Sequence, residues 1–111
     1  MDYFHAHIYW RNKNQRNLAI SLRDNLRGLG CPLGQVIDKP IGPHPLPMYQ
    51  VNYSTKNATE VEEFLSDKGL TVLLHHDTGN HIEDHTKRVR WIGKELDLDI
   101  EWLNSISREY N

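Results

Sequence analysis

At 111 residues the chain has the length of one compact domain, which on folding buries roughly two-thirds of the surface its unfolded form exposes. Charged residues make up 25% and apolar ones 38%, an ordinary globular balance, and a formal net charge of −2 offers no electrostatic reason to bind nucleic acid or an anionic membrane. No apolar run approaches the ~20 residues of a spanning helix, no basic-plus-apolar leader is visible, and the lone Cys31 cannot close an internal disulfide. These features predict a cytoplasmic protein with one domain over residues 1–111. The count out of proportion is seven histidines.

The first element, "YFHAHIYW", alternates Phe4, Ala6, Ile8 and Trp10 with Tyr3, His5, His7 and Tyr9, the period of a half-buried strand. Both histidines therefore share the wetter face. "NKNQRNLAISLRDNLRGLG" reads as an amphipathic helix: Asn12 is placed to cap it, Gln15 stands at the third helical position, and Leu18, Leu22, Leu26 and Leu29 recur at helical spacing. "LGQVIDKP" predicts a short strand stopped by Pro40. The proline-rich turn "GPHPLP" then leads into the alternating strand "MYQVNY". "NATEVEEFLSDKG" repeats the helix signs, with Asn57 and Glu60 at capping-box spacing, and "LTVLLHH" is the most apolar strand.

Strand, helix, strand, strand, helix, strand, joined by right-handed crossovers, is the order of a ferredoxin-like α+β sandwich with an antiparallel sheet. The C-terminal extension is split. "NHIEDHTKR" has Asn80 and Glu83 at capping-box spacing and predicts a short helix, whereas "ELDLDIEWL" alternates Leu96, Leu98, Ile100 and Trp102 as a strand does. An apolar tail of that kind predicts a homodimer, with Trp91 and Trp102 in the core or the interface.

In the ferredoxin-like arrangement the first strand is central, and the strands containing residues 48–53 and 70–76 run antiparallel on either side of it. The start of the first strand then lies beside the end of "LTVLLHH", which brings His5, His7 and His75 onto one open surface. His76 points the other way. His81 and His85, four apart, would share one side of the next helix, and Asp77, Glu83 and Asp84 are the nearest carboxylates. Neutral imidazoles suit first-row metals, and two histidines with one carboxylate are a known non-haem Fe(II) set. Each signal has an ordinary alternative, since strand and helix histidines are often just solvated, but two at one end of one sheet point to a site. By strand geometry His44 starts at the far end, so joining the site needs the loop to fold back or a second subunit to supply it. Arg88 and Arg90 could pair with an anionic substrate, although solvated charge explains them equally.

Taken together, "HAHIYW", "GPHPLPMYQV", "LTVLLHHDTG" and "DHTKRVRWIG" resemble, in order and over residues 3 to 93, the DOPA 4,5-dioxygenase family. The resemblance implies a dimeric ferredoxin-like fold and extradiol cleavage of a catechol, DOPA-like or another aromatic acid, by O₂ at Fe(II). Zinc or another divalent metal could stand in for the iron in purified protein. It places the family's histidines on His5, His7, His44, His75 and His85, and the family pattern has proline where this chain has His76. On that basis the metal ligands are expected to be His5, His7 and His75, with His44 and His85 as acid/base or substrate-orienting groups and Asp84 as a further ligand or a supporting partner. The competing reading is a dimeric, non-catalytic module that binds a metal or an aromatic ligand. An RNA-binding sheet using Tyr3 and Tyr9 is disfavoured by the negative charge and the missing basic aromatic signature.

Overall fold

The computed structural model describes residues 1–87 and 89–110, residues 106–110 by backbone alone. Four strands, β1 (Tyr3–Tyr9), β2 (Met48–Ser54), β3 (Val72–His76) and β4 (Val89–Ile92), form one antiparallel sheet in the order β2-β1-β3-β4. Helices α1 (Lys13–Ser21), α2 (Arg23–Gly28) and α3 (Ala58–Leu65) connect the first three strands, α4 (His81–Thr86) joins β3 to β4, and α5 (Ile100–Tyr110) follows.

The alternation in β1 decides which face is which. Ala6, Ile8 and Trp10 join Ala19, Leu26, Val61 and Leu65 from the first three helices, and Leu22 between α1 and α2, in the main core, where each fully buried Val, Leu or Ile side chain contributes about 1.5–3 kcal/mol. His5, His7 and Tyr9 project to the opposite face. That face is closed at one end by a smaller apolar cluster, Tyr9, Met48 and Leu73 packed against Leu46, Trp91, Leu96 and Leu98, and the histidines sit beyond it.

The expected central β1, flanked by the strands around residues 48–54 and 72–76, is present. The expected strand "LGQVIDKP" is reduced to two isolated bridges, Leu33 to Val51 and Ile37 to Met48. Four steps along one chain oppose three along the other, so an extra residue bulges out and the pairing is interrupted between the two bridges. The sheet's fourth strand is instead β4.

Two helix expectations also change. The first helix breaks at Leu22 into α1 and α2, leaving Leu18 37% exposed. At α3, Asn57 makes no capping bond; its amide oxygen accepts from the Ser54 N–H and its NH₂ donates to the Leu29 carbonyl. Asn12 and Asn80 do cap, accepting from the backbone N–H of Gln15 and Glu83.

The tail reading is corrected. Leu96 and Leu98 alternate because an extended segment lays one side on the sheet, but Ile100 and Trp102 belong to α5. The signal that the strand reading overlooked is Asp99, whose carboxylate accepts from the Trp102 N–H at 3.0 Å and caps the helix. Leu103 is then fully buried, so much of the apolar tail is covered by its own chain.

Removing that cap should loosen α5. Asp99→Ala is expected to cost about 1 kcal/mol, read as a lowered urea midpoint; an unchanged midpoint would show that α5 is held by packing alone.

Candidate active site

His5 stands directly opposite His75 in the β1–β3 register, and His7 lies two residues further along the same face. Their side chains converge: the His7 and His75 rings are stacked at 4.9 Å between centroids with Nε2 atoms 2.8 Å apart, and His5 meets His75 edge-on at 5.1 Å.

His44 arrives by the loop folding back within the same chain. The Ile41–His44 turn closes with a 3.0 Å hydrogen bond from the His44 N–H to the Ile41 carbonyl, and passes through Gly42 at φ +58, a conformation glycine adopts without a Cβ clash. The ring then lies 4.2 Å from His7, with Nδ1 2.7 Å from the Tyr9 hydroxyl.

His85 comes from α4, with its ring 4.3 Å from His75 and 6.0 Å from His7. The helix is seated by Asp84, whose buried carboxylate accepts from the Thr78 N–H at 2.8 Å and the Thr78 hydroxyl at 2.7 Å. All five singled-out histidines thus meet in one place. Asp77 joins them, 3.3 Å from His5 Nε2.

Other candidates fall outside or at the edge. His76 tilts against Phe4 at 4.5 Å and faces Asp2, as a bystander should. His81 lines the cavity mouth and offers its carbonyl to His85, while Glu83 lies beside Lys87. Arg90 is on β4, bound to Glu62 at 2.7 Å, and Arg88 lies outside the described residues.

Burial is the main force on the titration of these groups. It holds His7 well below its ordinary value of 6.5, with the His44 and His75 imidazoles adding to the effect. His44 is pushed down to about 3 and His75 to about 4, both chiefly by burial, and His5 and His85 are lowered for the same reason. At neutral pH the cluster is therefore uncharged, and each ring carries one lone pair.

Where those lone pairs point is partly settled by hydrogen bonds. The Nδ1–H of His75 donates to the His76 carbonyl at 2.7 Å and that of His85 to the His81 carbonyl at 2.7 Å, leaving Nε2 unprotonated on both. His7 has no satisfactory tautomer. If its Nε2 donates to His75, its buried Nδ1 is an acceptor without a donor among the described residues; if Nδ1 carries the proton, that N–H has no acceptor among them and two lone pairs face each other.

A cation shared by the two Nε2 atoms removes the clash of lone pairs, because imidazole nitrogens on one ion at about 2.0–2.1 Å stand roughly 3 Å apart, and it sets the His7 proton on Nδ1. Among the described residues two groups could close on one ion, His5, His7 and His75, and His7, His44 and His85, with ligand atoms within 4.8 Å of one another in each. Backbone carbonyls holding the far nitrogens of His75 and His85 are the usual outer support of metal-binding imidazoles. The residues present therefore fit a divalent metal.

The cluster lines a cavity of about 400 Å³ together with Ile37, Ile41, Met48, Trp102 and Leu103. That volume falls within the roughly 300–1,000 Å³ of small-molecule sites.

Residues 4–102 match the model of the Dopa 4,5-dioxygenase family. The chain belongs to that family. It is 32% identical over 108 residues to the DOPA 4,5-dioxygenase of Amanita muscaria and 30% identical to an uncharacterized 21.2 kDa protein of Botryotinia fuckeliana, matching over 87% and 96% of its own length. It spans only 47% and 66% of those two proteins. The solved structure of a presumed dioxygenase from Nostoc punctiforme superposes with a TM-score of 0.85 at 38% identity, over 96% of this chain and 94% of that one. Family and structural neighbour are thus those of dioxygenases, whose reactants are O₂ and a small molecule. Among the described residues no helix is long and apolar enough to cross a membrane.

Two members of this dioxygenase-family site were not singled out from sequence. Tyr9 shares the parity of His5 and His7, which was the available signal; Trp102 gave none, because its place depends on α5.

Unfolded histidines titrate near 6.5, whereas His44 and His75 do so at about 3 and about 4 in the fold. Between those values the unfolded chain binds more protons, so acid favours unfolding. The metal-free protein should keep its full stability above about pH 6.5 and lose it progressively toward pH 4. Guanidinium midpoints at stepped pH read this directly, and a midpoint that stays flat across that window would contradict the neutral cluster.

Proposed function

We propose that this protein is an extradiol ring-cleaving dioxygenase that opens a catechol with O₂ at a non-haem Fe(II). In this reading His5, His7 and His75 hold the metal, and His44 and His85 act on the substrate's protons. The observation that carries the proposal is the convergence of His5, His7 and His75, with the Nε2 atoms of His7 and His75 2.8 Å apart, in the lining of a cavity. Membership of the dioxygenase family supplies the reaction class.

Bound at these ligands, Fe(II) would supply electron transfer between the catechol and O₂ and a positive charge that favours the catecholate. The chain's own groups do the rest. The His76 carbonyl fixes the His75 ring so that Nε2 presents its lone pair inward. Asp77 offers the same kind of anchor to His5.

His85, with Nδ1–H donated to the His81 carbonyl, keeps Nε2 free to accept a phenolic proton. His44 is held by the Tyr9 hydroxyl through Nδ1, which leaves Nε2 as the working atom. Burial keeps both rings neutral; His85 starts as a base at Nε2, and His44 takes or gives a proton at Nε2 according to whether its Nδ1 donates to or accepts from the Tyr9 hydroxyl.

Iron-loaded protein should take up about one O₂ per ring opened, since both oxygen atoms enter the product, with a new yellow absorbance. His44→Ala and His85→Ala should keep iron yet lose roughly 10²–10⁴ in rate. Iron-loaded wild type that binds catechols but consumes no O₂ would replace the enzyme with a binding module.

The ligand assignment has its own check. His5→Ala, His7→Ala or His75→Ala should each weaken divalent-metal binding roughly tenfold or more, with His76→Ala near wild type. Equal losses at His75 and His76 would show that the ligand set is wrong. The same proposal includes a homodimer, for which Ile100, 40% exposed beside the cavity wall, is a contact candidate; light scattering at the mass of one chain at micromolar concentration would remove it.

A further inference from the structure

Tyr9 follows His7 by two residues on β1 and so shares its face of the sheet. The side chain is 1% exposed, packed with Met48 and Leu73 in the smaller apolar cluster and stacked on Trp91 at 6.2 Å between centroids. Tyr9 does not line the cavity, whereas His44 does. Its hydroxyl is thus shielded from the cavity and from bulk water, and among the described residues its partner is Nδ1 of His44 at 2.7 Å.

One proton sits in that hydrogen bond, and two arrangements compete for it. If Nδ1–H of His44 donates, the phenolic proton has to find a second acceptor inside an apolar cluster, and a buried donor without one is costly. If the hydroxyl donates, its proton is satisfied, and the neutral imidazole carries its own proton on the other ring nitrogen, Nε2. That ring lines the cavity, 4.2 Å from His7 and 5.9 Å from His85 between centroids, where a bound oxygen can accept from it. The second arrangement strands no buried proton.

We propose that Tyr9 is a positioning residue: its hydroxyl donates to Nδ1 of His44, fixes that imidazole as the Nε2–H tautomer and makes it a hydrogen-bond donor to a substrate oxygen. The donor role rests on the catechol reading above; the tautomer rests on the Tyr9–His44 geometry alone. His85 is set the other way by the backbone, since its Nδ1–H donates to the His81 carbonyl and leaves Nε2 bare. The two rings then offer one donor and one acceptor, which matches a catechol that has lost one proton, with an oxyanion to receive a hydrogen bond and a hydroxyl to give one. A neutral imidazole N–H serves as such a donor without ionising. The same tautomer bears on the metal. With Nδ1 accepting from Tyr9 and Nε2 protonated, His44 has no lone pair for an ion, so the group of His7, His44 and His85 loses a ligand and the group of His5, His7 and His75 does not.

The test reads tautomers by proton–nitrogen NMR of histidine-labelled, zinc-loaded protein, zinc being diamagnetic and redox-inert. The His44 signals are assigned by their loss in His44→Ala. The expected result is a protonated Nε2 and a bare Nδ1 at His44, and the reverse at His85. Tyr9→Phe keeps the aromatic ring and removes the hydroxyl, and should turn the single His44 tautomer into a mixture. Zinc affinity in Tyr9→Phe and in His44→Ala should stay within about threefold of wild type, short of the roughly tenfold or more that loss of a ligand or its support costs. Iron-loaded Tyr9→Phe should lose about tenfold in kcat for O₂ uptake with catechol, the worth of one hydrogen bond, with KM within about threefold.

Nδ1–H with a bare Nε2 at His44 in the wild type overturns the inference, and that spectrum decides it even if Tyr9→Phe fails to fold. An unchanged Nε2–H tautomer in Tyr9→Phe overturns the part given to Tyr9. A loss of zinc affinity of about tenfold or more in His44→Ala makes His44 a ligand and overturns the tautomer. Iron-loaded wild type that takes up no O₂ with any catechol removes the catechol reading and the donor role with it, while the zinc-protein spectra still decide whether Tyr9 sets the tautomer.

Discussion

In an antiparallel pair, residues facing one another on the same side of the sheet hold their Cβ atoms about 4.5–5.5 Å apart. The register of β1 against β3 makes His5 and His75 such a pair, and the period of two puts His7 beside them. A slip of one residue would send all three imidazoles into the face occupied by Ala6, Ile8 and Leu74 and bring those apolar groups out to the cavity. The hydrophobic core under α1, α2 and α3 therefore locks the histidine cluster without touching it. The cost of misregister is borne by Ile8, Val51 and Val72, all fully buried, long before any chemistry is involved.

Around this pair the remaining histidines are added by two segments of different character. α4 brings His85 through a short helix seated by the Asp84–Thr78 hydrogen bonds. The 38–47 loop brings His44 through a glycine turn and a run containing Pro43, Pro45 and Pro47, which restrict the backbone before any contact is made. Both devices reduce the entropy lost when the cluster forms. Burial then keeps five imidazoles neutral in close proximity, which charged groups could not tolerate, and leaves His7 with a nitrogen that the described protein groups do not satisfy. The acid sensitivity expected of the fold is a consequence of that desolvation.

The cavity's lining is of two kinds: imidazoles, which could hold a metal, and Ile41, Trp102 and Leu103, which offer mainly apolar surface. α5 carries two of those three, so a helix that contributes nothing to the sheet helps to shape the site.

Strand alternation, capping residues and the pairing order are local or near-local properties, and for this reason the central position of β1, the shared face of His5, His7 and His75, the exclusion of His76 and the helix of His81 and His85 could all be read from residues 3–86 directly. Tertiary structure decided what local pattern could not. Whether 33–37 extends the sheet depends on a bulge opposite Val51 and Met48, and whether 89–92 replaces it depends on the free edge of β3. Alternation in 96–102 arises equally from a strand and from an extended segment laid on a sheet before a helix, and only the capping bond from Asp99 and the buried Leu103 separate the two. His44 lies at the far end of β1 in strand geometry and reaches His7 because a positive-φ turn reverses the loop, and Trp102 becomes part of the site because that same turn leaves bare backbone for its ring. These are contacts between residues tens of positions apart, whose energies depend on a three-dimensional arrangement that no periodicity in the chain records.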